Sequence, residues 1–543
     1  MQANDRTHAA ILALKLGLAT LEQAGAGSPG EEGARPGRHF SWRSMVWDIG
    51  TGVATRSGRR GILRARIARP SGRPSSANGG MMPTELTPAA QPLTSAIWPE
   101  IELGAHDRIL VLAPHPDDEA LACGGVIQRS LSRGLPVHVL FLTLGDNNEW
   151  SFMVYRKRPQ LRPREVQAMG EVRQGEGVAA ARILGLPPEA LTFLGYPDFG
   201  TLRIWCSHWG EAPPFRSMLT RVTSVPYASA YRPGAAYKGD EILRDLTAVF
   251  QQFRPTRLFV SHPADQNPDH AALYLFTQLA LWDSGKAIHP QIHPFLIHYP
   301  RWPQPRGRAP DAVLEPPAYL ARRCAWHALR LSGDEIGRKE AALQAHQTQY
   351  GYCRTYLDSF VRTDELYGDF AAMRLARAGP EAVSLEPGAD PSSMEPAEEL
   401  EEDERTRFVG IESHSVRLVG EDLEIAIGLT RPLPPDVMAG IYCFGYRSDR
   451  QFAGMPKLHL EVGEIGHRVA DQGRALPVGT VEVRRAARQI LLRIPLAVIG
   501  WPERAFLGAV THLGEIPLSS LPWRILELPR VAGNEAERPS SEG

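Results

Sequence analysis

Short, wholly apolar runs alternate along this chain with longer segments of helical periodicity. Ile109-Leu110-Val111-Leu112-Ala113 is a continuous apolar run of the kind found in strands buried on both faces. Asp117 to Glu119 open a helical stretch that continues to about Arg133, with its acids at the end where the helix dipole favours them. A second apolar run, Val137 to Thr143, follows Gly134 and Pro136. A helical segment from Arg164 to Leu184 then precedes a strand at Leu191 to Leu194. The helix Asp240 to Phe253 leads into the strand Arg257 to Ser261, and a helix from about Asp269 to Trp282 leads into Ile292 to His298. A last helix is predicted over Asp334 to Tyr350.

Strands that alternate with full-length helices predict an α/β, Rossmann-like fold, a mostly parallel sheet with helices on both faces. The pattern then changes. Val416 to Val419, Leu423 to Leu429, Leu458 to Val462, Val481 to Val483, Gln489 to Ile494 and Phe506 to Val510 are short β-prone runs broken by Gly, Pro and Asp. They predict a C-terminal β-sandwich-like domain. The expected organisation is a disordered N-terminal extension over 1–95, the α/β domain over 96–377, and an acidic, Pro-rich linker over 378–405. A β-rich accessory domain over 406–531 and a disordered tail over 532–543 complete it. The Arg-, Gly-, Ser- and Pro-rich stretch from Arg35 to Gly80 has too little apolar surface to offset the cost of ordering, and reads as a dispensable extension.

Composition narrows the function. Lys plus Arg number 60 against 61 for Asp plus Glu, which gives no electrostatic case for nucleic acid or an anionic membrane. The five cysteines are scattered without a CxxC pair. This argues against a disulfide framework and a thiolate zinc site, and favours a reducing cytoplasm. No run approaches the roughly 18 to 20 apolar residues of a transmembrane helix.

The richest polar clusters are His115-Pro116-Asp117-Asp118-Glu119 and His262 to His270, each just past a predicted strand. Ligands of parallel sheets bind at that end of the strands. A hydrolytic metal centre needs a few ligands, an open position for water, and a base beside that water. One of the two adjacent aspartates can bind the metal while its neighbour faces the water. The second cluster offers Asp265, Asp269 or His270 as a further ligand. A plain turn capping a helix would use the same residues, but two such turns in one sheet favour the metal site. The aromatic insertion (Trp205, Trp209, Phe215, Tyr227, Tyr231, Tyr237) suits either a sugar platform or a self-packed loop. Asn147, Asn148, Glu149 and Trp150 are candidates for a pocket wall; His289, His293 and His298 read as core or surface histidines, and Cys123 as packing.

Pro114 to Glu119, PHPDDE, followed by Gly124-Gly125, resembles the signature of the LmbE-like, PIG-L deacetylases. Thr143-Leu144-Gly145-Asp146, Arg173-x-x-Glu176, Phe193 to Asp198, Pro268-Asp269-His270 and Lys339 to Gln349 match in the family's order. The resemblance implies removal of an N-acetyl or other acyl group from an amino sugar, free or linked to lipid or polymer. It implies a zinc ion, with ferrous ion as the alternative, on His115, Asp118 and His270, with Asp117 as general base and Arg173, Asp198 and Asp146 lining the substrate pocket. Asn267 stands where better-known members have a histidine. It can donate a hydrogen bond to an oxyanion but supplies no proton, which leaves Asp117 or His262 to protonate the leaving amine. Rival readings are an amidase of a thiol–sugar conjugate and a catalytically impaired glycan-binding protein.

Overall fold

The computed structural model describes residues 98–147, 162–376, 383–386, 396, 400, 402–514 and 516–529. The expected N-terminal extension, most of the expected linker, the 532–543 tail, and Asn148, Glu149 and Trp150 lie outside the described residues.

Five strands form one parallel sheet: β1 (Ile109–Ala113), β2 (Val137–Thr143), β3 (Leu191–Tyr196), β4 (Arg257–Ser261) and β5 (Gln291–Phe295), in the order β3-β2-β1-β4-β5. Every residue of β1 is buried, which accounts for its continuous apolar sequence. The helices α1 (Asp118–Ser132), α2 (Pro163–Leu184), α3 (Thr201–Ser207), α4 (Gly239–Phe253) and α5 (Pro268–Ser284) connect or flank these strands. Their ends follow local chemistry. Pro163 sits in the first turn of α2 and Gly185 closes it in the left-handed conformation. At α5, the Asn267 side chain accepts from Asp269 N with Pro268 in the first turn.

After β5 come the antiparallel pair β6 (Ala325–Arg330) and β7 (Asp364–Asp369) and, between them, α6 (Gly333–Ala345) and α7 (Gln347–Asp358). The single helix expected over Asp334 to Tyr350 is therefore two, broken at His346 (φ −78°, ψ 64°). The strand expected to reach His298 ends at Phe295, and beyond it the Ile297 and His298 N–H groups donate to Asp265 instead of extending the sheet.

The C-terminal region holds two sheets. One is β16-β17-β11-β10-β9: Glu482–Ala486, Gln489–Pro495, Asp422–Leu429, Ile411–Val419 and Val383–Glu386. The other is β15-β14-β13-β12-β18-β19-β8: Arg474–Ala475, His467–Asp471, Lys457–Val462, Val437–Tyr446, Arg504–Leu513, Ile516–Glu527 and Met373–Arg374. Side chains of both, among them Ile425, Leu492, Ile441 and Leu460, meet in one apolar core. Along β11 burial alternates residue by residue, as in a strand with one solvated face. Strand β9 lies within the stretch expected to be linker, and β8 ahead of it pairs in parallel with β19.

The outer face of the second sheet meets the α/β region. Trp205 of α3 lies 5.0 Å from Phe276 of α5, 5.3 Å from Phe452 and 5.0 Å from Phe506 of β18 (ring centroids). Trp282 at the far end of α5 stacks on Phe506 at 4.7 Å. Trp205, Phe276, Phe452 and Phe506 belong to the same buried cluster as the parallel sheet, and Trp282 packs against it. The insertion's tryptophans are thus interior residues and do not form a sugar platform. No described helix is long and apolar enough to cross a membrane.

Candidate metal centre

The chain leaves β1 to build β2 and β3 on one side, then crosses to β4 on the other. Between β1 and β4 the strand order reverses, the place where sheets of this kind bind ligands. His115 and Asp118 follow β1; Asp265, Asn267, Asp269 and His270 follow β4; Asp146 and Asp198 follow β2 and β3. All eight are buried.

The donor atoms of His115, Asp118 and His270 lie within 4.8 Å of one another. Asp118 Oδ2 is 3.1 Å from His115 Nδ1 and 3.2 Å from His270 Nε2, and it also accepts the His115 backbone N–H at 2.8 Å. Each imidazole is backed by carboxylate on its far nitrogen. His115 Nε2 lies 2.9 Å from Asp198 Oδ1 and 3.3 Å from Asp269 Oδ2, and His270 Nδ1 lies 3.0 Å from Asp265 Oδ2. Carboxylate–histidine pairing of this kind fixes tautomer and ring orientation in metal sites and raises ligand basicity. Asp265 is itself anchored by the N–H groups of Asn267, Ile297 and His298, each at 3.0 Å. Asp269 accepts from Phe199 N, Thr201 N and the Thr201 hydroxyl. Two imidazole nitrogens with one carboxylate oxygen suit zinc or ferrous iron, so the residues present fit such an ion.

The electrostatics agree. Burial disfavours the charged form of His270, yet Asp265 and Asp118 more than offset it and lift the ring to about 9. Burial alone would raise Asp265, but His270 and the backbone donors hold its carboxyl below the usual range. Asp146, buried and beside Asp198, is pushed up to about 7, although the Tyr227 hydroxyl donates to it. The surroundings carry surplus negative charge that a cation would offset.

Asp117 stands beside the cluster at a left-handed backbone position, φ 128° and ψ −25°. It opens onto a small cavity lined by Leu121, His298, Tyr352, Cys353, Tyr356 and Leu357. Arg173 is 1% exposed and spends its donors on the chain: Nη1 on Gly145 O and Nη2 on Pro116 O, both at 2.8 Å, with Asp117 Oδ1 at 3.5 Å. This geometry makes it a brace for the Asp117 turn. Gly145 is tied to that brace, because a Cβ there would lie 1.8 Å from Arg173 Nη1.

Asn267 is fully buried. Its Oδ1 accepts from Asp269 N at 2.9 Å, and because a backbone N–H can only donate, the amide's orientation is set. Its Nδ2 has no hydrogen-bond partner among the described residues. His262 does not join the cluster: its Nδ1 accepts from Ala264 N at 3.0 Å, its Nε2 faces Cys324 Sγ at 3.4 Å, and its ring stacks on Trp326. Burial pulls His262 down to about 3, so near neutrality it holds no proton to give as an imidazolium. The acid role entertained for it is replaced by packing.

His298 was read only as a core or surface histidine. Its ring packs edge-on to His270 at 4.7 Å and lines the Asp117 cavity. The signal that could have found it is positional: it follows β5, the neighbour of β4, at the sheet's carboxyl end. Glu119 and His346, 3.0 Å apart and buried, were likewise not recognised as a pair.

Fold and site together define a class: a doubly wound α/β domain with a buried His/Asp cluster at the switch point of its sheet. Residues 110–281 match the family model described as GlcNAc-PI de-N-acetylase, PIG-L, and the chain carries a domain of this LmbE-like family. A Rhodococcus jostii protein named 1D-myo-inositol 2-acetamido-2-deoxy-alpha-D-glucopyranoside deacetylase is 30% identical over 188 residues, covering 34% of this chain and 56% of that protein. Its Rhodococcus erythropolis namesake is 26% identical over 191 residues, with the same 34% and 56% covered. The chain thus spans little more than half the length of these relatives. Among solved structures, N,N'-diacetylchitobiose deacetylase from Pyrococcus horikoshii aligns with a TM-score of 0.28 at 17% identity, covering 46% of this chain and 75% of that one.

Proposed function

We propose that this chain is a metal-dependent N-deacetylase that hydrolyses the acetamide of an amino sugar or its conjugate to acetate and a free amine. The convergence of His115, Asp118 and His270, with Asp117 beside them and outside the ligand set, is the observation that carries the reading. His115, Asp118 and His270 would hold a zinc or ferrous ion, which would supply Lewis acidity for the amide carbonyl and lower the pKa of a water towards about 7.

The chain's own residues do the rest. Asp117 takes the proton of the attacking water and returns it to the amide nitrogen as the C–N bond breaks, so one carboxylate serves as base and then acid. That assignment follows from His262 having no proton to give and Asn267 none to spare. Asn267 Nδ2 donates to the carbonyl oxygen as negative charge grows there. Asp265 and Asp269 hold the two imidazoles in register. Asp198 and Asp146, which match the family's pocket-lining positions, are proposed as acceptors for sugar hydroxyls. The relatives' names put the acetamide of their substrate on a glucopyranoside ring, and the same sugar class is proposed here. All five cysteines are free thiols, in keeping with a reducing, cytoplasmic setting.

The test is acetate release from a panel of N-acetylglucosamine conjugates, including the inositol glycoside and diacetylchitobiose, with and without added zinc. Wild type should release acetate only when metal-loaded. Asp117→Asn should keep its metal and lose on the order of 10²- to 10⁴-fold in kcat. Equal turnover by both proteins would remove Asp117 as the base, and no release from any sugar would sink the proposal.

A further inference from the structure

Asp117 occupies a backbone conformation that L residues rarely adopt, and such a position persists only where its surroundings over-determine it. The peptide unit joining Pro116 to Asp117 is gripped at both ends. Its carbonyl accepts from Arg173 Nη2 at 2.8 Å, and its N–H donates to Glu119 Oε2 at 2.9 Å. Glu119 is an unusual choice of acceptor. As a first-turn acid of α1 it could face solvent and still serve the helix dipole; instead its side chain turns back two residues and is fully buried.

What holds Glu119 there is His346. His346 Nε2 lies 3.0 Å from Glu119 Oε1, leaving Oε2 for the Asp117 amide. The ring is fully buried, and its Nδ1 has no hydrogen-bond partner, so the tie to Glu119 is the side chain's one hydrogen bond among the described residues. A buried imidazole with half its polarity unmet is costly in a core, and an apolar residue would pack there without that cost. His346 also sits where α6 stops and α7 starts. Just beyond it, Thr348 donates through N and Oγ1 to Glu176, at 2.9 and 2.6 Å. Helix α7 then supplies Tyr352, Cys353, Tyr356 and Leu357 to the cavity onto which Asp117 opens.

We propose that Glu119 and His346 are positioning residues that, with Arg173, clamp the Pro116–Asp117 peptide plane and so fix the aim of the Asp117 carboxylate relative to the cavity wall on α7. The inference rests on the reading of Asp117 as the base. Neither residue touches substrate; each acts through the Asp117 backbone. A misplacement of about 1 Å at a reacting group costs on the order of 10²-fold in rate, so a relaxed turn would lower kcat and leave the metal ligands in place.

The experiment compares His346→Ala, His346→Gln, Glu119→Ala and Glu119→Gln with wild type by three readouts: amide hydrogen exchange of the Asp117 segment, bound zinc per chain, and kcat and KM on an acetylated sugar. Exchange at Asp117 should accelerate about tenfold or more in both alanine variants while β2 amides stay protected, the mark of local rather than global opening. His346→Gln, which keeps a donor for Glu119, should restore much of the protection. Zinc content should be unchanged, and kcat should fall on the order of 10- to 100-fold at constant KM. If an alanine variant fails to fold, the glutamine variants carry the comparison. Wild-type protection at Asp117 in every folded variant would overturn the proposal, as would kcat, KM and zinc falling together. A wild type that turns over no sugar yet shows the exchange pattern would refute the deacetylase reading and leave the clamp standing.

Discussion

Phe506→Ala tests whether the accessory sheets are a separable appendage or part of one cooperative unit. Phe506 lies on β18 yet is fully buried against the α/β region, 5.0 Å from Trp205, 4.7 Å from Trp282 and 6.1 Å from Phe452. Truncating such a ring costs about 3–5 kcal/mol through lost burial plus the cavity left behind. How that cost appears depends on cooperativity. The unfolding entropy is about 2.1 cal/mol/K per residue, so about 4 kcal/mol spread over roughly 400 residues lowers Tm by about 5 °C, whereas the same loss in an independent β unit of roughly 130 residues lowers that unit's Tm by about 15 °C. Calorimetry of the full chain should show one transition moved by the smaller amount, because Trp205 and Phe506 belong to one buried cluster with the parallel sheet and Trp282 packs against it. Two transitions, only one of them displaced by the larger amount, would refute the reasoning.

Other predictions are independent of that one. Burial pulls His262 and His293 down to about 3. With an unfolded value near 6.5, their contribution is intact above pH 6.5 and is lost towards pH 3 at about 1.4 kcal/mol per unit for each ring. The pair should therefore cost about 4 kcal/mol between pH 6.5 and 5. His293→Phe, which keeps a ring on Phe259 at 4.8 Å, should halve that slope in urea titrations; an unaltered slope would show that His293 does not titrate on unfolding. Asp265→Asn, which weakens the support of His270 Nδ1, should lower zinc affinity about 10- to 100-fold in chelator competition, and an unchanged affinity would remove Asp265 from the site. Asn267→Ala should lower kcat on the order of 10²- to 10³-fold at similar KM. A change confined to KM would mean that the amide binds substrate without favouring the transition state.

The sequence disclosed the parallel sheet well because strands covered on both faces are written as unbroken apolar runs, and Ile109–Ala113 has no other reading. It disclosed the two turns that carry the site because His and Asp cluster just past those runs. It did not disclose β6 and β7, whose Trp326, His327, Asp364 and Glu365 break any simple alternation. Nor did it disclose β12, where Ala439, Gly440 and Gly445 dilute the β-prone residues. The break at His346 has no local breaker; it coincides with a contact to Glu119, 227 residues earlier. The fate of Trp205 and Trp209 was undecidable locally for the same reason, since their partners Phe452 and Phe506 lie some 250 to 300 residues downstream. The resemblance implied that Arg173 lines the substrate pocket; its Nη1 and Nη2 donate to Gly145 O and Pro116 O, while its buried Nε has no partner among the described residues.

The crowd of acids around His115 and His270 bears on how the protein comes to be assembled. Asp117, Asp118, Asp198, Asp265 and Asp269 are buried together, with Arg173 beside Asp117. Burial raises the proton affinities of Asp146 and Asp269, and the neighbouring Asp198 charge adds repulsion. A newly made chain must close this acid nest against that repulsion, and a divalent ion captured during closure would act as a keystone as well as a reagent. Ion supply in the cell would then govern how much folded protein accumulates, not only how fast each molecule works.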